Sequence, residues 1–143
     1  MSREIRRVPM DWQHPRYFNP YRECVDFLPL YGTRFEDAMQ DFRDHPDWFD
    51  GHPPRLVDYM PDFAGRDDLG WCMYETCTEG TPISPVFATP EGVARWLADN
   101  GASSFGSQTA TYEQWLRVCY GGYAPSMVYT PESGLVSGVE AGQ

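Results

Sequence analysis

Lysine is absent from the 143 residues: all eleven basic side chains are arginine, set against 21 acids for a net charge of −10. A chain this acidic is a poor candidate for direct contact with nucleic acid, which takes clustered cations to neutralise phosphates. Cysteine is scarce, and Cys24, Cys72, Cys77 and Cys119 form neither a CxxC pair nor a disulfide framework. The expectation is free, mostly buried thiols in a reducing compartment. Cys72 and Cys77, five apart, fall on opposite faces of a continuous strand and so do not share a metal. No apolar run approaches the length that crosses a bilayer, and none follows Met1 as a secretory leader does, so no membrane contact is expected. Internal repeats are missing too. Gly80-Thr81-Pro82 and Gly101-Ala102-Ser103-Ser104 lack the lysine and the glycine pattern of a phosphate loop.

Aromatic side chains are plentiful at 15% of residues, so a core here rests on Trp, Tyr and Phe rather than on Leu and Ile. The length suits one domain, 1–143, with a sizeable interior. Charge is uneven along it. Residues 35–68 hold ten acids against three arginines, while residues 1–34 hold six arginines against four acids. Phe35, Phe42, Trp48, Phe49, Tyr59 and Phe63 lie among the middle acids, which separates this stretch from a disordered acidic tail.

Three parts follow from the local patterns. In residues 1–34, Glu4 to Val8 alternates as a short strand stopped by Pro9. Trp12, Tyr17, Phe18, Tyr21 and Phe27, among Pro15, Pro20 and Pro29, then describe an extended segment pinned to the core by aromatics. In residues 35–70, Thr33 and Glu36 have capping-box spacing. Phe35, Ala38, Met39 and Phe42 recur at helical spacing, as a face turned to the core, up to about Asp44. Pro46 ends the helix, and loops punctuated by Pro53, Pro54 and Pro61 follow. In residues 71–138, Trp71 to Thr78 alternates as a strand, with Trp71, Met73 and Glu75 on one side and Cys72, Tyr74 and Thr76 on the other. Thr89-Pro90-Glu91 starts a helix that buries Val93, Trp96 and Leu97 and stops at Asn100-Gly101. Thr111 with Gln114 caps another helix, closed by Gly121-Gly122. Pro131-Glu132-Ser133-Gly134 turns a terminal hairpin between Ser126–Tyr129 and Leu135–Ser137. Strands and helices without regular βαβ alternation make the fold α+β, with a small, mainly antiparallel sheet and about three helices.

Two segments carry a resemblance. Arg3-Glu4-Ile5-Arg6-Arg7-Val8-Pro9, continuing to Trp12 and His14-Pro15, resembles the opening of a group of small tailed-phage and prophage proteins. Tyr74-Glu75-Thr76, Glu79-Gly80-Thr81-Pro82 and Pro85-Val86-Phe87-Ala88-Thr89 are similar to that group's distal half. The resemblance covers about half the chain and brings no catalytic residues with it. It implies an accessory protein acting on a host protein in the host cytoplasm, inhibition of a defence system such as CRISPR–Cas being one version.

Several constellations compete for the function. His45, Asp47, Asp50 and His52 have the donor types of a transition-metal set, but Pro46, Gly51 and Pro53 break the segment, and a polar loop is the commoner outcome. No metal or cofactor is expected. Glu75 and Glu79 do not have a catalytic acid–base spacing, and Glu79 reads as a turn stabiliser. Arg3, Arg6 and Arg7 are expected to pair with the chain's own acids. An ordinary solvated face is the plain reading of the acidic middle. The functional reading sets Trp48 as an anchor among Asp41, Asp44, Asp47 and Asp50, holding a basic surface of a host protein. The leading expectation is therefore a non-enzymatic binder of a host protein. The alternatives are a nucleotide-like small-molecule site between the Trp71 strand and the Trp96 helix, lined by Tyr74, Glu75, Glu79 and Thr81, or a minor virion or assembly component.

Overall fold

The computed structural model describes residues 2–77 and 79–141. Its centre is a four-stranded antiparallel sheet. Strand β1 (Arg3–Pro9) pairs along its whole length with β4 (Leu69–Glu75), in the register Ile5↔Met73 and Arg7↔Trp71. Strand β5 (Thr81–Pro82) flanks β4, and β6 (Tyr123–Ala124) flanks β1. Beyond β5, Trp71 and Phe87 exchange both backbone hydrogen bonds, at 2.8 and 2.9 Å, which carries the pairing along the β4 edge.

The sheet is covered on both faces, which is why β4 is apolar on both sides of its alternation. Met73 packs with Val93, Ala94 and Leu97 of helix α2 (Pro90–Asp99) and with Trp115, Val118 and Cys119 of helix α3 (Tyr112–Gly121). Cys72, Tyr74 and Val8 face the other way, against Trp12, Met60, Phe63 and Val86. Both helices start as their sequences predict. Thr89 accepts from the Gly92 amide at 3.1 Å, and Thr111 and Gln114 form a reciprocal capping box. The C-terminal hairpin, β7 (Met127–Thr130) with β8 (Gly134–Ser137), turns where expected, and a short helix α4 (Gly138–Ala141) seats Val139 in the core. The architecture is α+β.

Four local expectations are corrected. Residues 1–34 are not simply extended: β2 (Arg16–Asn19) and β3 (Cys24–Phe27) pair as a hairpin. Its prolines fall outside both strands, where no ladder donor is missed. The helix α1 (Phe35–Asp44) begins one residue late for a Thr33 cap. Arg34 is the N-cap and makes no side-chain cap bond, its carbonyl accepting from the Ala38 amide at 3.1 Å. The α1 face does not reach the main core. Only Ala38 is buried, while Phe35 meets Tyr59 and Phe42 meets Phe49 edge-on in a separate aromatic layer. Lastly, β4 begins at Leu69 and ends at Glu75; Thr78, where the strand was expected to end, lies outside the described residues.

The arginines of β1 follow the register. Arg6 pairs with Glu4 at 2.8 Å, as expected of an arginine serving the chain's own acids. Arg7 instead lies 3.6 Å from the ring centroid of its cross-strand partner Trp71 and donates to the carbonyls of Leu69 and Gly70. Arg3 donates to the Ser103 carbonyl through two nitrogens.

Candidate functional site

The first candidate grows out of the end of α1. Pro46 stops the helix and opens a 3-10 turn, Pro46–Phe49, in place of the expected loop. That turn lifts Trp48 into solvent, 64% exposed, with its ring stacked on His45 at 3.9 Å and nearly parallel. Asp50 then takes the left-handed conformation at φ 51° and reverses the chain. A groove of about 560 Å³ results, lined by Asp41, Trp48, Asp50, His52 and Asp58 together with one cation, Arg55. Asp44 and Asp47, expected at the same surface, are exposed but outside the lining. Asp44 accepts from the Gln40 amide at 3.0 Å. Among the described residues, Asp41, Asp47, Asp50 and Asp58 have no ion pair, whereas Asp26, Glu36 and Asp68 each have an arginine. No three His, Cys, Asp or Glu side chains converge as a metal set among the described residues.

The second candidate lies beside β5, at one edge of the sheet. A cleft of about 830 Å³ runs between the start of the β2–β3 hairpin and residues 82–86, and Trp96 of α2 reaches into its wall. Of the four residues expected to form a pocket here, only Tyr74 does. Glu75 and Thr81 line a smaller groove with Tyr17 and Asp26, and their side chains bond to each other at 2.6 Å. Glu75 also accepts from the Cys77 amide at 2.8 Å, so Glu75 rather than Glu79 braces the turn. Glu79 sits at φ 72°, and its carbonyl accepts from Arg6 at 3.1 Å.

The polar groups sequence reasoning missed are His14 and Trp12, sixty residues from Tyr74. Trp12 Nε1–H donates to the Tyr74 hydroxyl at 3.1 Å. The Leu28 carbonyl lies 2.6 Å from His14 Nε2, and a carbonyl only accepts, so Nε2 carries the proton. His14 Nδ1, 2.9 Å from the Tyr74 oxygen, is then the acceptor for the tyrosine O–H. The donors run one way, from Trp12 through Tyr74 and His14 to Leu28, with no buried group left over. The Arg6 guanidinium lies 4.4 Å from the Tyr74 ring centroid. Burial pushes the Tyr74 phenol well above its ordinary range and the Cys72 thiol up to about 11, so neither is a ready nucleophile at neutral pH.

Burial is also the main force lowering the His14 pKa, with the Arg6 charge adding to it and the Leu28 bond opposing. The unfolded chain therefore takes up this proton first as pH falls. The contribution is intact above the ordinary histidine value of 6.5 and is lost as pH drops below it through the lower folded value. The urea midpoint is expected to decline between pH 7 and pH 5, and His14→Gln is expected to lack that part of the slope. Equal slopes in the two proteins would remove the assignment.

Comparison with family models, with curated proteins and with solved structures found no match to this chain.

Proposed function

We propose that this protein is a non-enzymatic binding module that seats an Arg/Lys-rich surface of another protein in the acidic groove around Trp48. The observation that supports this reading best is the pairing of an exposed tryptophan with three groove-lining carboxylates, Asp41, Asp50 and Asp58, which make no ion pair among the described residues and outnumber the lining Arg55. A solvated face needs neither the apolar anchor nor the concavity. An interface needs both: an aromatic that fills a pocket and complementary charge that steers the partner. Asp44 and Asp47 sit outside the groove and act as its rim, affecting encounter rate and salt dependence more than the bound state. The resemblance of the two end segments to phage proteins supports a host protein as the partner and the host cytoplasm as the place of action. Occupying a nucleic-acid groove, as an inhibitor of a CRISPR-type defence does, is the version that best suits an acidic surface.

The test starts from affinity purification from the host and continues with direct titration of the captured partner. Reversing Asp41, Asp44, Asp47 and Asp50 to arginine is expected to weaken binding more than about a hundredfold. Trp48→Ala alone is expected to cost about 2 kcal/mol, as central aromatic anchors do. Wild-type affinity should fall steeply with added salt. Unchanged affinity in the folded reversal variant would sink the reading.

A further inference from the structure

We propose that the cleft beside the β2–β3 hairpin binds a small flat aromatic molecule carrying a single anionic group, with its rings against Trp12, Phe27 and Trp96 and its anion on Arg16. The inference is independent of the acidic groove. The cleft's volume of about 830 Å³ falls in the range of small-molecule sites. Trp12, Phe27 and Trp96 are each half-buried: part of each packs inward and part lines this space. Trp12 is held edge-on by Phe63 at 5.3 Å, and its Nε1–H is committed to Tyr74, so its orientation is set before any ligand arrives. The Tyr74–His14 chain is satisfied internally. The inner wall therefore makes no further polar demand and suits an apolar ring system.

Charge decides the rest. In a protein of net charge −10, no aspartate or glutamate among the described residues lines this cleft, and Arg16 is the one charged residue among them that does. Its guanidinium lies over the Phe27 ring, 4.5 Å from the centroid, and among the described residues it has no carboxylate within ion-pair distance. Phe27 is its cross-strand partner, so the hairpin register itself places the cation at the mouth. A planar guanidinium resting on an aromatic ring, with its fork of N–H donors open, matches a carboxylate, sulfonate or phosphate in a way that a lysine does not. By contrast, the groove beneath β1 mixes Glu36 and Asp62 with Arg34 and Arg66 and offers no such sign preference.

The test uses two fluorescent probes that differ only in the anion: 8-anilinonaphthalene-1-sulfonate and neutral N-phenyl-1-naphthylamine. The full chain is expected to bind both at one site. Arg16→Glu is expected to weaken the sulfonate by about tenfold or more while leaving the neutral probe within about twofold. Arg16→Gln should fall between, and it keeps the test open if the glutamate variant melts early. Competition by indole-3-acetate against adenosine monophosphate then separates a carboxylate from a phosphate ligand. The proposal is overturned if neither probe binds at one site, if the sulfonate binds both Arg16 variants as tightly as wild type, or if both probes weaken equally.

Discussion

Arg6→Ala is expected to destabilise the protein by about 3–5 kcal/mol, the cost of removing one partner from a buried charged pair. Arg6 is 8% exposed and holds three separate parts of the chain together. It donates through two nitrogens to Glu4 at 2.9 and 2.8 Å, to the Leu30 carbonyl at 2.8 Å and to the Glu79 carbonyl at 3.1 Å, with its plane over Tyr74. Alanine leaves the half-buried Glu4 carboxylate, the carbonyl of the buried Leu30 and that of Glu79 without their shared donor. The surrounding glycine is shaped by the same group. A Cβ on Gly80 would stand 2.2 Å from Arg6 Nη2 and 2.3 Å from the Leu30 carbonyl oxygen, at a φ of 140° that other residues rarely adopt. Arg6→Lys should recover only part of the loss, because one ammonium does not span a fork built for a guanidinium. Since small domains have about 5–15 kcal/mol in total, the alanine variant should show a greatly reduced urea midpoint at neutral pH. Full stability in the lysine variant would overturn the argument from geometry.

Tyr74→Phe is expected to cost about 2–3 kcal/mol, although it deletes a single oxygen. The ring is fully buried and keeps its packing, so no cavity of consequence is made. What changes is the hydrogen-bond chain: the Trp12 indole loses its acceptor and His14 Nδ1 loses its donor. Removing one partner of a buried polar pair costs more than the pair contributes, which makes the conservative change the informative one. A double-mutant cycle with Trp12→Phe should give a coupling of about 0.5–3 kcal/mol. A Tyr74→Phe protein within 0.5 kcal/mol of wild type would show that water, entering from the cleft, replaces the hydroxyl.

How far the fold could be read depended on whether each signal was local. The α2 and α3 caps need four consecutive residues each, and both form as read. The alternation of β4 predicted two faces, and both are used. The β2–β3 hairpin was hidden because each strand is only four residues long and neither contains a fully buried residue, so neither carries a clear apolar alternation. The Thr33 box was a true spacing in the wrong place, since an extended Arg34 takes the cap with its backbone alone. At the acidic groove, Trp48 and its acids were legible as composition, but the exclusion of Asp44 and Asp47 from the lining depends on how the end of α1 and the 3-10 turn after it orient them. At the cleft, Tyr74 was legible and His14, Trp12 and Arg16 were not.

The sequence by itself determined the charge of this protein, the ends of two of its helices, its last hairpin and the two-sided burial of β4. Those features depend on residue type and on spacings within one turn or one strand, where backbone geometry fixes the neighbours. The tertiary structure alone decided that an arginine from β1 would be closed over by Gly80 and that a histidine at 14 would meet a tyrosine at 74. It also decided that no acid, otherwise so abundant here, would stand among the described residues that line the cleft beside the hairpin. The reason is the antiparallel pairing of β1 with β4: that register brings segments from Pro9↔Leu69 to Arg3↔Glu75, at least sixty residues apart, into contact, and no local pattern carries the identity of so distant a partner.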